Sequence, residues 1–197
     1  WDVMAREMIA ATGRGEARSA MKFLGAANHH EMTEGIAQLF LGMDLKCAKC
    51  HDHPSVDDWK QAHYWGLFTY LNQTKLATNS KDKQTYLVEG LATKKVEFQS
   101  VFETEKKNTG PRLPGGKEIE IPTFEKGQEF EKPAADGLPA VPKFRPRELL
   151  ARDLTAKDNP YFVRNSVNRF WFLMMGRGLV HPLDEVHGKN PPSHPAL

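Results

Sequence analysis

The octapeptide CAKCHDHP (residues 47–54) contains both cysteines of the 197-residue chain and two of its eight histidines. A Cys-x-x-Cys-His run is the attachment signal of c-type haem. Two thiols one helical turn apart can each bond to a haem vinyl group, and the histidine that follows can then bind the iron. The motif therefore predicts haem c, with thioether bonds to Cys47 and Cys50 and with His51 as the proximal ligand.

Two other interpretations of the motif stay open. Cys47, Cys50, His51 and His53 are also possible ligands of zinc or another transition metal, with His51 and His53 as the nitrogen donors. Zinc sites usually combine two ligand pairs separated by a long loop, so a remote histidine would have to complete this one. The candidates are His29, His30, His63, His181, His187 and His194. The third interpretation is a Cys47–Cys50 disulfide, whose small ring favours redox activity over stabilisation.

Both segments that flank the motif show the apolar spacing of an amphipathic helix. Thr33 is a suitable N-cap for the first helix, and Asp57 or Asp58 for the second. The apolar residues of the first are Ile36, Leu39, Phe40 and Met43, and those of the second are Trp59, Tyr64, Leu67, Phe68 and Leu71. Residues 1–78 are thus expected to form a helical part that carries the motif.

The composition changes after this part. Residues 79–145 are rich in proline and glycine, and two short stretches alternate apolar with polar residues, at Val96 with Phe98 and at Ile119 with Ile121. Such alternation between turn residues predicts a β-strand at each position. We therefore expect this region to be an extended connector with a small β element.

Helical patterning returns in residues 146–197. Pro146 precedes a short helix, and Asn159-Pro160 combines an N-cap with proline at the first helical position. Gly176 is placed to end this second helix. Its apolar residues, which we expect to pack in the core, are Phe162, Val163, Val167, Phe170, Trp171 and Met174. The predicted fold class is therefore mainly α with a small β element, made of two helical parts and an extended middle.

Composition and motifs argue against several classes of function. The formal net charge is only +2 and no basic run is long, so the chain has no electrostatic footprint for nucleic acid. The longest apolar stretch, near residues 170–175, is far shorter than a transmembrane segment. The chain contains no Gly-x-Ser-x-Gly elbow, phosphate loop or His-Glu-x-x-His motif, so nothing in it predicts an enzyme.

Two stretches resemble known families. Residues 32–74 contain MTEGIAQLFLG, the motif and DDWKQAHYWGLFTYLNQT, and they resemble the planctomycete cytochrome-like domain of unknown function. Residues 158–197, which begin DNPYFVRNSVNRFW, resemble the opening of the planctomycete-specific domain that usually follows it in the same polypeptide. The resemblance implies an exported bacterial protein in which the cysteines and histidines of residues 47–53 form one functional cluster. It supplies no known reaction.

The expected function is that of a periplasmic or otherwise extracytoplasmic c-type cytochrome-like electron-transfer protein. The alternative is a non-catalytic accessory subunit of a larger periplasmic or membrane-bound electron-transfer complex, in which a disulfide or metal at the cluster only stabilises the fold. Either role implies partners among redox or membrane-complex proteins, and the proline-rich segments 111–146 and 188–197 could lie along such a partner. Because the chain opens at Trp1 rather than Met, we interpret it as part of a longer precursor.

Overall fold

The computed structural model describes residues 1–14, 16–25 and 28–196; Leu197, the last residue of the predicted C-terminal part, lies outside them. The α-helices in these ranges are α1 (Asp2–Ala10), α2 (Lys22–Gly25), α3 (His29–Ile36), α4 (Gln61–Leu71), α5 (Pro146–Leu154) and α6 (Pro160–Met175). The strands are β1 (Thr74–Thr78), β2 (Thr85–Glu89), β3 (Val96–Gln99), β4 (Lys106–Thr109), β5 (Phe130–Lys132) and β6 (Val141–Pro142). Strand β1 pairs antiparallel with β2, β3 with β4, and β5 with β6, which makes three two-stranded sheets in the described ranges.

The fold is therefore mixed α and β, and the predicted predominance of helix is not observed. The first hairpin begins at Thr74, inside the part that was expected to be helical, and pairs Thr74 with Glu89. Its strands are rich in threonine and aliphatic residues, which favour a pleated, half-buried backbone over a helix. The helices nevertheless lie at the two ends of the chain and the strands between them, as the sequence indicated.

The middle region contains only one of its two predicted strands. The strand at Val96 and Phe98 is confirmed as β3, but its partner is the lysine-containing β4 and not the stretch around Ile119. Ile119 instead donates its amide to the carbonyl of Pro111 at 2.8 Å, outside any strand. Pairing with a strand that is closer along the chain costs less loop-closure entropy, which favours β4 as the partner.

The helix that leads to the motif begins earlier than predicted. The Asn28 side chain accepts hydrogen bonds from the amides of His30 and Glu31, both at 3.0 Å, and the Glu31 carboxylate accepts from the Asn28 amide. This capping box starts α3 at His29, so the prediction that Thr33 is the N-cap is wrong. Thr33 lies inside the helix, where its hydroxyl donates to the His29 carbonyl.

Helix α3 continues into a π-helical turn at Ala37–Leu41, which ends at Gly42 with φ 69°. A Cβ atom at residue 42 would lie 2.6 Å from Val186 and 2.8 Å from Asn165, so glycine is needed both for the left-handed backbone and for this close approach. The next residue, Met43, is 1% exposed and belongs to the core, as predicted. The motif therefore starts from a tightly packed and sharply ended helix.

The C-terminal part packs on the first part through α5 and α6. The buried Arg147 at the start of α5 donates to the carbonyls of Ala11 and Ile9, and its amide donates to Glu89 on β2. Burial raises the pKa of Glu89, although Arg147 opposes this shift. Charged groups at this junction thus connect α1, β2 and α5, which lie far apart in the sequence.

Helix α6 has the predicted ends but not the predicted buried face. Asn159 caps it, accepting from the amides of Tyr161 and Phe162, and Gly176 ends it with φ 75°. Its buried residues are Phe162, Asn165 and Asn168. The prediction of a core position is wrong for the exposed Val163, Val167, Phe170 and Met174 and is confirmed for Phe162, while Trp171 is half-buried.

Hydrogen bonds explain why asparagines occupy the buried face of α6. Asn165 Nδ2 donates to the carbonyl of Leu39 at 2.7 Å, and Arg169 donates to that of Gln38 at 2.8 Å. Both carbonyls lie at the end of a helix, where backbone carbonyls run short of intrahelical donors; that of Gln38 also accepts from the Gly42 amide at 3.2 Å. A buried carbonyl without a partner is costly, so α6 presents polar donors to this neighbour beside the apolar contact of Phe162 with Phe40.

In the described residues, no helix has both the length and the apolar character that crossing a membrane requires.

Candidate functional site

The motif occupies a short turn between the π-helical segment and α4. Residues Cys47–Lys49 form one turn of 3₁₀-helix, in which the Cys50 amide donates to the Cys47 carbonyl at 3.2 Å. Ala48 is fully buried, whereas Cys47 and Cys50 on either side of it are exposed. The turn therefore uses its one small apolar residue as an anchor and leaves both thiols accessible.

Main-chain carbonyls of the motif accept hydrogen bonds from α4 and from the β3–β4 hairpin. The Lys49 carbonyl accepts from Gln61 Nε2 at 3.2 Å and from Trp65 Nε1 at 3.1 Å. The Cys50 carbonyl accepts from the Val101 amide at 3.0 Å. Gln61, which is 3% exposed, also donates to the Gln99 carbonyl at the end of β3. Gln61 and Trp65 were not predicted from the sequence as supports, because nothing in the motif indicates which side chains reach its carbonyls.

Both thiols are free, so the structure contains no Cys47–Cys50 disulfide. His51 Nδ1 lies 2.6 Å from the carbonyl oxygen of Asp52. Because a carbonyl only accepts hydrogen bonds, Nδ1 carries the proton and Nε2 has a lone pair in the neutral ring. A backbone carbonyl on one ring nitrogen is the usual support of a histidine that binds metal through the other.

The hydrogen bonds at His53 Nδ1 run in the opposite direction to the one at His51 Nδ1. Its Nδ1 accepts from the backbone amides of Ser55 at 3.3 Å and Val56 at 3.0 Å. Because backbone amides only donate, Nδ1 is unprotonated and the proton of the neutral ring lies on Nε2. Neither nitrogen then offers a lone pair to a metal, so His51 and His53 are chemically different despite their proximity in the sequence.

The aspartates of this region have roles that differ from those predicted. Asp52, not Asp57 or Asp58, accepts from the amide of Gln61 at the start of α4, at 2.9 Å, and pairs with Lys60 at 3.2 Å. Burial alone would raise the pKa of the Asp52 carboxyl, but these hydrogen bonds lower it. The prediction that Asp57 or Asp58 caps the helix is wrong because both carboxylates bind the C-terminal segment instead.

The C-terminal segment around residues 187–189 packs beside the motif. The Asp58 carboxylate accepts from the Gly188 amide at 2.6 Å, and Asp57 pairs with Lys189 at 2.7 Å. The ring of the fully buried Trp59 has His53 on one side, at 5.1 Å between ring centroids, and His187 on another, at 5.3 Å. Gly188 and Lys189, the first residues of the segment 188–197 that was expected to lie along a partner, thus bind the protein's own motif region.

The remote histidines are not gathered around the motif as zinc ligands. His29 contacts the Thr74 carbonyl, His30 contacts the Tyr64 hydroxyl, and His63 accepts from the Lys60 amide. His187 contacts Glu185 and His194 contacts Ser193. Within residues 1–14, 16–25 and 28–196, no group of three or more His, Cys, Asp or Glu side chains is arranged to hold a metal ion. The motif therefore offers a free nitrogen, His51 Nε2, and two unbonded thiols, but no ready-made cage for a bare metal ion in the described residues.

Comparison with known families agrees with the resemblance predicted from the sequence. Residues 1–76 match the model of PSCyt2, described as a protein of unknown function (DUF1549). Residues 146–197 match the model of PSD1, also described as a protein of unknown function (DUF1553). The pairing and its order are those predicted. No curated protein and no solved structure matches the chain.

Proposed function

We propose that this chain, which joins a PSCyt2 part to a PSD1 part, is an extracytoplasmic c-type cytochrome-like electron carrier. Its haem would be bonded to Cys47 and Cys50, with His51 Nε2 as the proximal ligand. The observation that carries the proposal is the state of these three side chains, namely two free, exposed thiols followed by a histidine whose Nδ1 proton is held by a carbonyl. The extracytoplasmic location follows from the proposed chemistry, since bacteria attach haem c outside the cytoplasm.

The residues present fit this group. When bound, the haem iron would gain and lose one electron. The chain's own contribution would be to orient the ligand: the Asp52 carbonyl holds the His51 ring and keeps its proton on Nδ1, which leaves Nε2 free for the iron. Gln61 and Trp65 fix the backbone between the two cysteines. A rigid support of this kind keeps a ligand set in its productive geometry.

The accessory-subunit role is the second candidate, and the surface of α6 favours it. Large apolar side chains are exposed along this helix, including Leu173 at 74% and Met174 at 70%. Contiguous exposed apolar surface is typical of interaction sites. In this role the cysteines and histidines of the motif would only stabilise the fold, through a disulfide or a metal ion. Cys47 and Cys50, however, are unbonded here, and His53 is engaged by backbone amides.

The first test is whether the protein carries covalent haem. The full chain is exported in a bacterium that matures c-type cytochromes, and then measured by pyridine haemochrome assay and intact mass. We expect one haem per chain and its loss in the Cys47→Ala, Cys50→Ala double variant. His51→Ala should keep the thioether bonds but change the iron spectrum strongly.

His53→Ala is the matched control, because that ring does not present a lone pair to the iron. Its spectrum should stay close to that of the wild type. A colourless protein with the mass of the bare polypeptide would refute the electron-carrier proposal and favour the accessory role. Equal spectral changes in the two histidine variants would show that both rings bind one metal.

A further inference from the structure

Two apolar side chains are exposed at the turn that joins β3 to β4. Val101 is 65% exposed and Phe102 is 80% exposed. Burying apolar side chains stabilises a fold, so leaving two neighbours in water forgoes stability. Isolated exposed apolar residues are ordinary, but these two lie directly beside the motif.

The turn is fixed to the motif by hydrogen bonds. The amide of Val101 donates to the Cys50 carbonyl, which lies between the second cysteine and His51. Within the turn, the Phe102 amide donates to the Ser100 hydroxyl at 3.2 Å and the Glu103 amide donates to the Ser100 carbonyl at 3.2 Å. The two apolar side chains are therefore presented by an ordered turn and not by a loose loop.

The ring of Phe102 packs against the ring of His51. The two centroids are 5.1 Å apart and the rings are tilted by 49°. The bond from His51 Nδ1 to the Asp52 carbonyl limits rotation of the imidazole, so the relative position of the two rings is defined. A solvent-exposed aromatic ring thus packs directly against the proposed iron ligand.

We propose that Val101 and Phe102 form the proximal wall of the haem site; this inference rests on the proposed function. A histidine ligand stands on one face of the macrocycle, and the macrocycle extends beyond the imidazole on all sides. A ring packed beside that histidine would therefore lie against the same face. This would explain their exposure, because the bound haem would cover the apolar surface that is otherwise exposed to solvent.

The wall would act on the reduction potential. Apolar surroundings limit the access of water to the iron and disfavour its more highly charged ferric state. Removing the Phe102 ring should admit water and stabilise the ferric form. We expect Phe102→Ser to shift the reduction equilibrium toward the oxidised protein by about tenfold, equivalent to a potential lowered by ~59 mV for a one-electron couple.

The experiment uses the full, haem-loaded chain in four forms: wild type, Phe102→Ser, Phe102→Leu and Leu173→Ser. Leu173, 74% exposed, resembles Phe102 in exposure and lies on α6, a different element from the motif turn. Haem content is measured first, by pyridine haemochrome assay, and the midpoint potential second, by redox titration. Phe102→Leu should restore most of the wild-type potential because it restores an apolar cover, and Leu173→Ser should not shift it.

Each result has a distinct meaning. A wild-type chain without covalent haem overturns both the proposed function and the wall. Covalent haem with the same potential in Phe102→Ser, Leu173→Ser and wild type overturns the wall and leaves the proposed function intact. Loss of haem in Phe102→Ser alone, with an unchanged far-UV circular dichroism spectrum, supports the wall because it shows that the ring is needed to retain the group.

Discussion

Helices α4 and α6 have similar aromatic-rich sequences and opposite burial. Most residues of α4 are buried, including Tyr64, Leu67 and Leu71. Of the sixteen residues of α6, the buried ones are Phe162 and two asparagines, while Phe170 and Leu173 face solvent. The difference teaches that apolar spacing identifies a helix reliably but identifies its buried face only where the neighbouring surface is also apolar.

The two helices meet different kinds of neighbour. Helix α4 packs against α3, α5 and the motif turn, which supply core residues such as Ile36, Leu150 and Ala48. Helix α6 packs against the end of the π-helical turn, where the Leu39 carbonyl accepts its hydrogen bond from Asn165. Burial follows hydrophobicity in the first case and hydrogen bonding in the second.

The largest expected difference between the two regions concerns their tryptophans. Trp59, just before α4, is fully buried, whereas Trp171 on α6 is half-buried. Trp59→Ala should lower the free energy of unfolding by about 3–5 kcal/mol, and Trp171→Ala by about 1 kcal/mol. Equilibrium denaturation in urea measures both. Equal losses would mean that another surface covers α6 in solution.

The next effect tests the hydrogen-bonded contact of α6. Asn165→Ala should cost about 1–3 kcal/mol, because it leaves the Leu39 carbonyl buried without a donor. Asn165→Leu should not restore stability, although it would strengthen the apolar pattern of the helix. Amide exchange should quicken at Gly42 and Met43, which follow the π-helical turn.

Ser166→Ala is the control for that substitution, because the Ser166 hydroxyl bonds only within its own helix, to the Phe162 carbonyl. Its effect on the free energy of unfolding should stay within about 0.5 kcal/mol. If Asn165→Leu proved as stable as the wild type, the contact would depend on shape rather than on hydrogen bonding, and the contrast with α4 would fail.

The smallest expected effect is a pH dependence that only α4 can have, since α6 contains no histidine. Burial lowers the pKa of His63, and the nearby Arg112 lowers it further. Because the unfolded chain binds this proton first, its contribution to stability is complete above the ordinary pKa of about 6.5 and is lost as the pH falls through the lowered folded value. Protonation would also break the bond from the Lys60 amide to His63 Nδ1.

The measurement is the free energy of unfolding of wild type and His63→Gln at a series of pH values between about 5 and 8. The difference between the two isolates His63 from the other histidines. Wild type should lose stability relative to the variant on acidification. A difference that does not change with pH would show that His63 has the same pKa in the folded and unfolded chain.

Local sequence signals predicted several helix ends correctly. Pro146, Asn159-Pro160 and Gly176 lie where α5 begins and α6 begins and ends. Such signals work because caps and prolines act on backbone groups within one turn of themselves. The β1–β2 hairpin and the choice of β4 as the partner of β3 were missed, because strand pairing depends on which segments meet and not on either segment alone.

The candidate site likewise combines a feature that the sequence predicted with features that only the fold reveals. The spacing of Cys47, Cys50 and His51 is a property of the sequence, and it alone raised the possibility of haem c. The difference between His51 and His53 became visible only in the fold, since it depends on which backbone groups face each ring. The support from Gln61 and the contact with Phe102 likewise depend on how α4 and the β3–β4 turn are placed.

The motif, the main helices and the resemblance to two families could be read from the sequence, because each of these depends on residues close together in the chain. Contacts between distant residues required the folded chain: Asp58 binds the segment at Gly188, 130 residues away, and Asn165 faces Leu39, 126 residues away. Polar groups bond to whichever partners the fold brings near them, and for a buried group such as the Asn165 amide a missing partner would be costly. No local pattern states where that partner will be.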